Sequence, residues 1–271
     1  MASTLPRPGA TVAFHDSGGD GRAVVLTHGA GLDHSMYDAQ AEALREQGHR
    51  VIVWDLRGHG ASPLTGGARF SARDALDDLT ALLDACAVDR AVLVGHSLGG
   101  NLVQEFARSR PERVAGAIVM DATWNAGPLR PIERPALRAA APMLAAIPAR
   151  LLPGMMARAS AETPAAVARA EAVFARMSKT TFLDVWRATT SFVRPEADAG
   201  AQTSLALIRG ERDRTGNIAT AMPAWARAAG IEEHVIAGAG HIVTWDAPDE
   251  TSRVLVRLLA QGFGGGARGS R

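Results

Sequence analysis

Gly95-His96-Ser97-Leu98-Gly99 is a G-x-S-x-G pentapeptide, and its setting makes the serine a candidate nucleophile. The apolar run Ala91 to Val94 before it reads as a buried strand, and Asn101 to Arg108 after it has helical spacing. A serine at the apex of a tight strand-to-helix turn is a nucleophile elbow. The glycines matter because side chains at Gly95 or Gly99 would collide with the neighbouring strand and helix. The pentapeptide alone arises readily by chance, so the flanking elements carry the reading. A serine hydroxyl is a poor nucleophile at neutral pH and needs an adjacent base to take its proton.

Other short apolar runs build the frame around that turn. Thr11–His15 reads as a strand in a hairpin turning at Asp16–Gly21. Ala23–Thr27, Arg50–Trp54, Ala115–Met120, Ser204–Ile208 and Glu233–Ile236 read as further strands. Helical periodicity covers Met36–Gln47, ending at a Gly48 cap, then Phe70–Ala85, Ile218–Ala229 and Pro248–Leu259. In the second of these, Asp74, Asp77 and Asp78 read as a solvated face. Strands alternating with helices indicate βαβ units, hence an α/β fold with a doubly wound, mostly parallel sheet.

The alternation stops after Met120. Residues 127–199 hold no good strand and carry Pro128, Pro131, Pro135, Pro142, Pro148, Pro153 and Pro164. They read as short helices separated by proline breaks, inserted after the sixth strand. Ligands of open parallel sheets bind at the carboxyl ends of the strands, so an insertion leaving that edge is expected to form a cap or lid. Met143, Met155, Met156, Met177, Phe174, Phe182, Trp186 and Phe192 fit the core of such a unit. The expected organisation is a core of residues 1–126 and 200–262, a cap of 127–199, and a disordered glycine-rich tail at 263–271.

Composition sets bounds. The 271 residues are 47% hydrophobic and 21% charged, with a formal net charge of +1. That balance gives no global attraction to nucleic acid or to an acidic membrane. Cys86 is the single cysteine, so no intramolecular disulfide is possible, and it reads as a small core residue. The first residues lack an apolar signal core, no window is apolar enough to span a bilayer, and a cytoplasmic protein is expected. Eight histidines lack metal-ligand spacing, so neither a metal nor another cofactor is expected.

Four segments together resemble the α/β-hydrolase superfamily: His28-Gly-Ala-Gly31, Asp55-Leu-Arg-Gly-His-Gly-Ala-Ser62, Gly95-His-Ser-Leu-Gly-Gly100 and Gly238-Ala-Gly-His241. They stand in that family's order and rough spacing over nearly the whole chain outside the insertion and tail. The resemblance implies Ser97 as nucleophile and His241 as base. For the acid it offers Asp213, in the loop after the strand at 204–208, with Asp121 as the alternative and Glu211 as a weaker option. It implies an oxyanion hole made by the backbone N–H groups of Ala30 and Leu98. His34 and Tyr37, close to Asp33, and Trp124 are candidate pocket residues, with loop capping and packing as their competing roles. His28, His59 and His96 read as loop supports, and Asp55, Arg57 and Gly60 as a salt-bridged turn.

Such a set performs acyl transfer. The serine attacks an ester or lactone carbonyl, an acyl-enzyme forms, and water releases it. A serine at position 97 argues against branches that form an alkyl-enzyme ester on a carboxylate nucleophile. The expected partner is therefore a small-molecule carboxylic ester or lactone. Cofactor-free haloperoxidase or perhydrolase chemistry and acyltransfer use the same triad, and a non-catalytic ligand-binding protein is the remaining reading.

Overall fold

The computed structural model describes residues 3–195 and 204–262. Eight strands form one sheet: β1 (Ser3–Arg7), β2 (Ala10–Asp16), β3 (Ala23–Thr27), β4 (Arg50–Trp54), β5 (Ala91–His96), β6 (Val114–Met120), β7 (Leu205–Gly210) and β8 (Glu233–Ile236). Their order is β1-β2-β4-β3-β5-β6-β7-β8. β1 and β2 run antiparallel at one edge, and every pairing from β4 to β8 is parallel. The chain winds outward from β3 to β4 and then returns to β5 on the other side of β3. That reversal opens a crevice at the carboxyl ends of β3 and β5, the usual ligand position in open α/β sheets.

Alternation along the strands sorts side chains to two faces. Val24, Leu26, Val92 and Val94 point to one apolar cluster. Val25, Leu93, Ile52 and Trp54 point to the other. The first face is covered by α1 (Asp38–Glu46) and α10 (Pro248–Ala260), the second by α2 (Ala72–Ala85), α3 (Leu98–Ser109) and α8 (Ile218–Ala229). Strands buried on both faces read as continuous apolar runs, which is why these were visible in the sequence.

Three sequence expectations change. The hairpin of Thr11–His15 turns at Pro8–Gly9 onto β1, not at Asp16–Gly21, because β4 lies between β2 and β3. β1 escaped notice as an exposed edge strand carrying Pro6, with no apolar run. Asp78 is not on a solvated face. It is fully buried and accepts both arms of the Arg57 fork at 2.6 Å, with Arg7 Nε at 2.9 Å. Cys86 is buried as expected, and burial first, then Asp16, pushes its thiol up to about 11.

Between β6 and β7 the described chain forms four helices: α4 (Glu133–Ala146), α5 (Leu152–Ser160), α6 (Pro164–Phe174) and α7 (Lys179–Ser191). Pro153 and Pro164 stand in first turns, where a missing N–H costs nothing. Pro142 does not break the chain and lies inside α4. Phe174, Phe182 and Phe192 are buried, whereas Met143 is 68% exposed and Met155 is also exposed, so those two methionines leave the expected core. The expected boundary at 199/200 and the tail at 263–271 lie outside the described residues.

Candidate active site

Ser97 is the hinge between β5 and α3, with φ +53°. That strained backbone is fixed on both sides. Its N–H donates to Met120 O at 2.9 Å, and its carbonyl accepts from Asn101 N. A Cβ on Gly99 would overlap the Thr27 and His28 carbonyl oxygens, and one on Gly95 would overlap the Gly99 carbonyl. The turn is therefore as tight as its sequence suggested. Leu98 opens α3, so its N–H has no partner within the helix and lies at the positive end of the helix dipole.

The loop after β3 lies against this turn. A Cβ on Gly29 would stand 3.1 Å from Ser97 Cβ. The Gly29–Leu32 turn closes with Leu32 N–H on Gly29 O at 3.2 Å and leaves the Ala30 N–H outside that bond. His28 clips the loop in place: Nδ1–H donates to Gly29 O at 2.8 Å, and Nε2 accepts from Leu56 N–H at 2.9 Å. Burial, opposed mainly by Asp55, lowers its pKa, which matches a neutral ring with one donor and one acceptor.

His241 arrives from the loop after β8. Its Nδ1 lies 2.9 Å from Asp213 Oδ2, and both side chains are buried. Asp213 Oδ1 accepts the Thr215 N–H at 2.8 Å. Burial alone would raise the Asp213 carboxyl, but His241 and the Thr215 N–H overcome it and hold the group at about 2. Gly210 lets the two loops meet, since a Cβ there would overlap the Gly240 and Ala239 carbonyl oxygens. His96 ties this assembly to the serine next to it: its Nε2–H donates to His241 O at 2.7 Å, and the two rings lie 4.7 Å apart. Burial, then repulsion from His241, pushes His96 down to about 3, so it stays neutral.

The structure thus brings Ser97, His241, Asp213, Ala30 and Leu98 to one rim of the sheet. Asp213, not Asp121, meets the His241 ring nitrogen. Asp121 lies behind it, and Glu211 is turned away, accepting the Gly238 N–H at 2.8 Å. Asp121, Asp213 and His241 are also the one trio among the described residues with metal-ligand spacing, all ligand atoms within 4.8 Å. Within the trio His241 Nδ1 pairs with Asp213, and Asp121 receives no hydrogen bond from either partner.

The pocket candidates fare differently. Tyr37 is fully buried and donates its hydroxyl to Thr27 O at 3.1 Å, so it is a core residue and not a pocket wall. His34 is exposed, and its Nδ1 pairs with Asp55 Oδ1 at 2.8 Å, an arrangement that raises the His34 pKa. Burial opposes ionisation of Asp55, but His34, His28 and the Ala61 N–H hold it at about 2. Trp124 stacks on Trp225 and lines a cavity of about 290 Å³ between the loop after β6 and α8. Ser97, Asp213 and His241 are not among the residues lining that cavity.

Sequence reasoning missed how the insertion is fastened. A Cβ on Gly31 would come within 2.6 Å of the Phe174 ring and 3.1 Å of Phe182, so α6 and α7 rest on the Ala30 loop. Asp246 lies in α9 (Val243–Asp246), just after His241. Its carboxylate accepts the N–H groups of Glu162 (3.0 Å), Thr163 (2.8 Å) and Gly240 (2.9 Å). Ile242 N–H adds a bond to Ser160 O at 2.9 Å. No periodicity marks Asp246, because all its partners are backbone groups of other segments.

The match to a family model described as the alpha/beta hydrolase family runs over residues 24–254. The chain belongs to that family. An esterase from Thermogutta terrifontis is 25% identical over 96% of this chain and 98% of its own, with a TM-score of 0.80. The enol-lactonase from Burkholderia xenovorans LB400 shares the fold at a TM-score of 0.79, with 21% identity over 95% of this chain and all of that one (100%). A non-heme chloroperoxidase from Streptomyces lividans is 36% identical over 126 residues, 45% of each chain. Matches to the curated relatives span less than half of each relative, 40%, 37% and 45% for three of them. No described helix is long and apolar enough to cross a membrane.

Proposed function

We propose that this chain is a serine hydrolase that cleaves a small carboxylic ester or lactone through an acyl-enzyme. The observation that carries the reading is the buried 2.9 Å contact of His241 Nδ1 with Asp213, tied through the His96 bond to His241 O to the strained Ser97 at the head of α3. In this mechanism Nε2 of His241 takes the Ser97 proton as Oγ attacks the carbonyl. Ionised Asp213 holds the imidazole tautomer and stabilises the imidazolium. The Ala30 and Leu98 N–H groups bind the oxyanion, each donor contributing about 3 kcal/mol to the transition state. The proton then passes to the leaving alkoxide, and water repeats the sequence on the acyl-enzyme. Helices α6 and α7, seated on the Ala30 loop, act as the lid over the acyl group.

The sequence match to a chloroperoxidase favours a second acceptor. Hydrogen peroxide in place of water would carry the acyl group away as a peracid, with no change in the triad. A single panel tests both readings: p-nitrophenyl esters of rising chain length and lactones of rising ring size, each with and without peroxide. Turnover of short esters and labelling by a fluorophosphonate probe are expected, and both should vanish in Ser97→Ala, a loss on the order of 10⁴-fold or more. Full activity in Ser97→Ala would sink the triad reading.

A further inference from the structure

Asp121 directly follows β6, with φ +44° and no solvent exposure. Strain of that kind in a non-glycine residue persists only where its surroundings fix it, and it concentrates at functional sites. Two bonds do the fixing. The Asp121 N–H donates to Ile208 O at 2.9 Å, and Oδ1 accepts the Gly210 N–H at 2.7 Å. The other oxygen, Oδ2, is buried and receives no donor from any described residue. This carboxyl stands in the trio with Asp213 and His241, all ligand atoms within 4.8 Å.

Two carboxylates so close and so dry do not both ionise; one keeps a proton. Asp213 has the better claim to the charge, because the His241 ring and the Thr215 N–H both face it. Asp121 has one backbone donor and one orphan acceptor. A proton on that orphan turns a costly unpaired oxygen into a donor beside Asp213.

We propose that Asp121 is a neutral carboxylic acid whose O–H donates to the Asp213 carboxylate, so that Asp213 works as one half of a carboxyl pair sharing a single proton. The proposal rests on the serine-triad reading and deepens it. Asp121 acts through Asp213 as a positioning residue. Burial first, then the charge of Asp213, pushes its carboxyl well above the usual range, which accords with the geometry. The other groups facing it are His241, Arg209 of β7, itself paired with Glu233 at 2.8 Å, and the Tyr37 phenol. With one charge in the pair, Asp213 meets the imidazolium as a single fixed counter-ion, oriented from behind.

The direct test is the infrared difference spectrum of wild type minus Asp121→Asn at neutral pH, with carbon-13 aspartate to assign the band. A protonated-carboxyl band present in wild type and lost in the variant is expected; its absence would overturn the proposal. Kinetics give the second test. Asparagine reproduces both bonds, accepting from Gly210 and donating to Asp213, and alanine makes neither. Asp121→Ala is expected to lose about tenfold in kcat with little change in KM, and Asp121→Asn to recover most of that, within about twofold of wild type. The acid limb of the kcat/KM profile should stay in place in Asp121→Asn. A shift of that limb to lower pH, or equal losses in the two variants, would mean an ionised or merely packed Asp121 and defeat the idea. Failure of the triad reading would appear separately, as full activity in Ser97→Ala, and would leave the infrared band untouched.

Discussion

The sheet rim and the helical insertion meet at the Ala30 loop, yet they are built differently. At the rim, Ser97, Asp213 and His241 are placed by backbone: a strained turn at Ser97, glycine approaches at Gly99 and Gly210, and main-chain bonds such as Ser97 N to Met120 O. Neutral buried histidines, His28 and His96, clip the loops together. The insertion is held by a few side-chain latches instead. Asp246 grips the N-terminal turn of α6, and Asp184 of α7 pairs with Arg69. Its outer helices leave Ile132 75% and Met143 68% exposed. The rim has no room for a side chain at Gly95, Gly99 or Gly210, whereas the insertion rests on a few side-chain bonds and on the contact of Gly31 with Phe174.

That contrast breaks most sharply at Asp213. Asp213→Asn is expected to lower kcat about 10⁴-fold with the fold intact, because the amide presents the wrong partner to His241. A smaller loss there than in Asp121→Asn would assign the acid to Asp121.

Acid should destabilise the folded chain through its buried histidines and its low-pKa carboxylates. His59 and His96 sit near 3 in the folded chain and 6.5 when exposed, so the unfolded state binds more protons between those values. Stability therefore falls as pH drops below 6.5. Asp55 and Asp213, held at about 2 against 3.8, contribute stability that is present above 3.8 and lost as pH falls towards 2. Each of those two accounts for about 2 kcal/mol. Urea midpoints followed from pH 7 to 3 should fall steadily, and a flat curve between pH 6.5 and 4 would contradict the buried neutral histidines.

Smaller effects distinguish latch from surface. Asp246→Ala frees three backbone N–H groups that join α6 to the His241 loop, and about a tenfold loss in kcat/KM is expected, with thermal stability lowered by roughly 1–3 kcal/mol. Unaltered kinetics would show that the insertion seats without this latch. Met143→Ser should change stability by less than about 0.5 kcal/mol and leave short-ester turnover alone. A larger loss of stability would mean that α4 packs more tightly than its exposure indicates.

Much of the fold was legible in the chain because its causes are local. Fully buried parallel strands announce themselves as apolar runs, as at Val92–Val94, and Gly95 and Gly99 bracket a turn that admits no side chain. The elbow at Ser97 was therefore written in ten consecutive residues. Other features have causes distant in sequence. Asp78 shares the buried face of α2 with Ala75, Leu79 and Leu82 and reads as solvated only by its charge; Arg57 and Arg7, brought in from other segments, make it a buried anchor. Tyr37 and Trp124 had plausible positions near the site, but packing turned one into the core and the other towards Trp225. The resemblance put Asp213 first as the acid and kept Asp121 as the alternative. The loop that reaches His241 is the one after β7, because β7 lies next to β8 in the sheet and the loops leaving the two strands meet at Gly210. Sequence by itself determined the elements and the chemical types at the strand ends. Tertiary structure decided which of those groups face each other, because a carboxylate takes its role from the donors that surround it, and those donors come from every part of the chain.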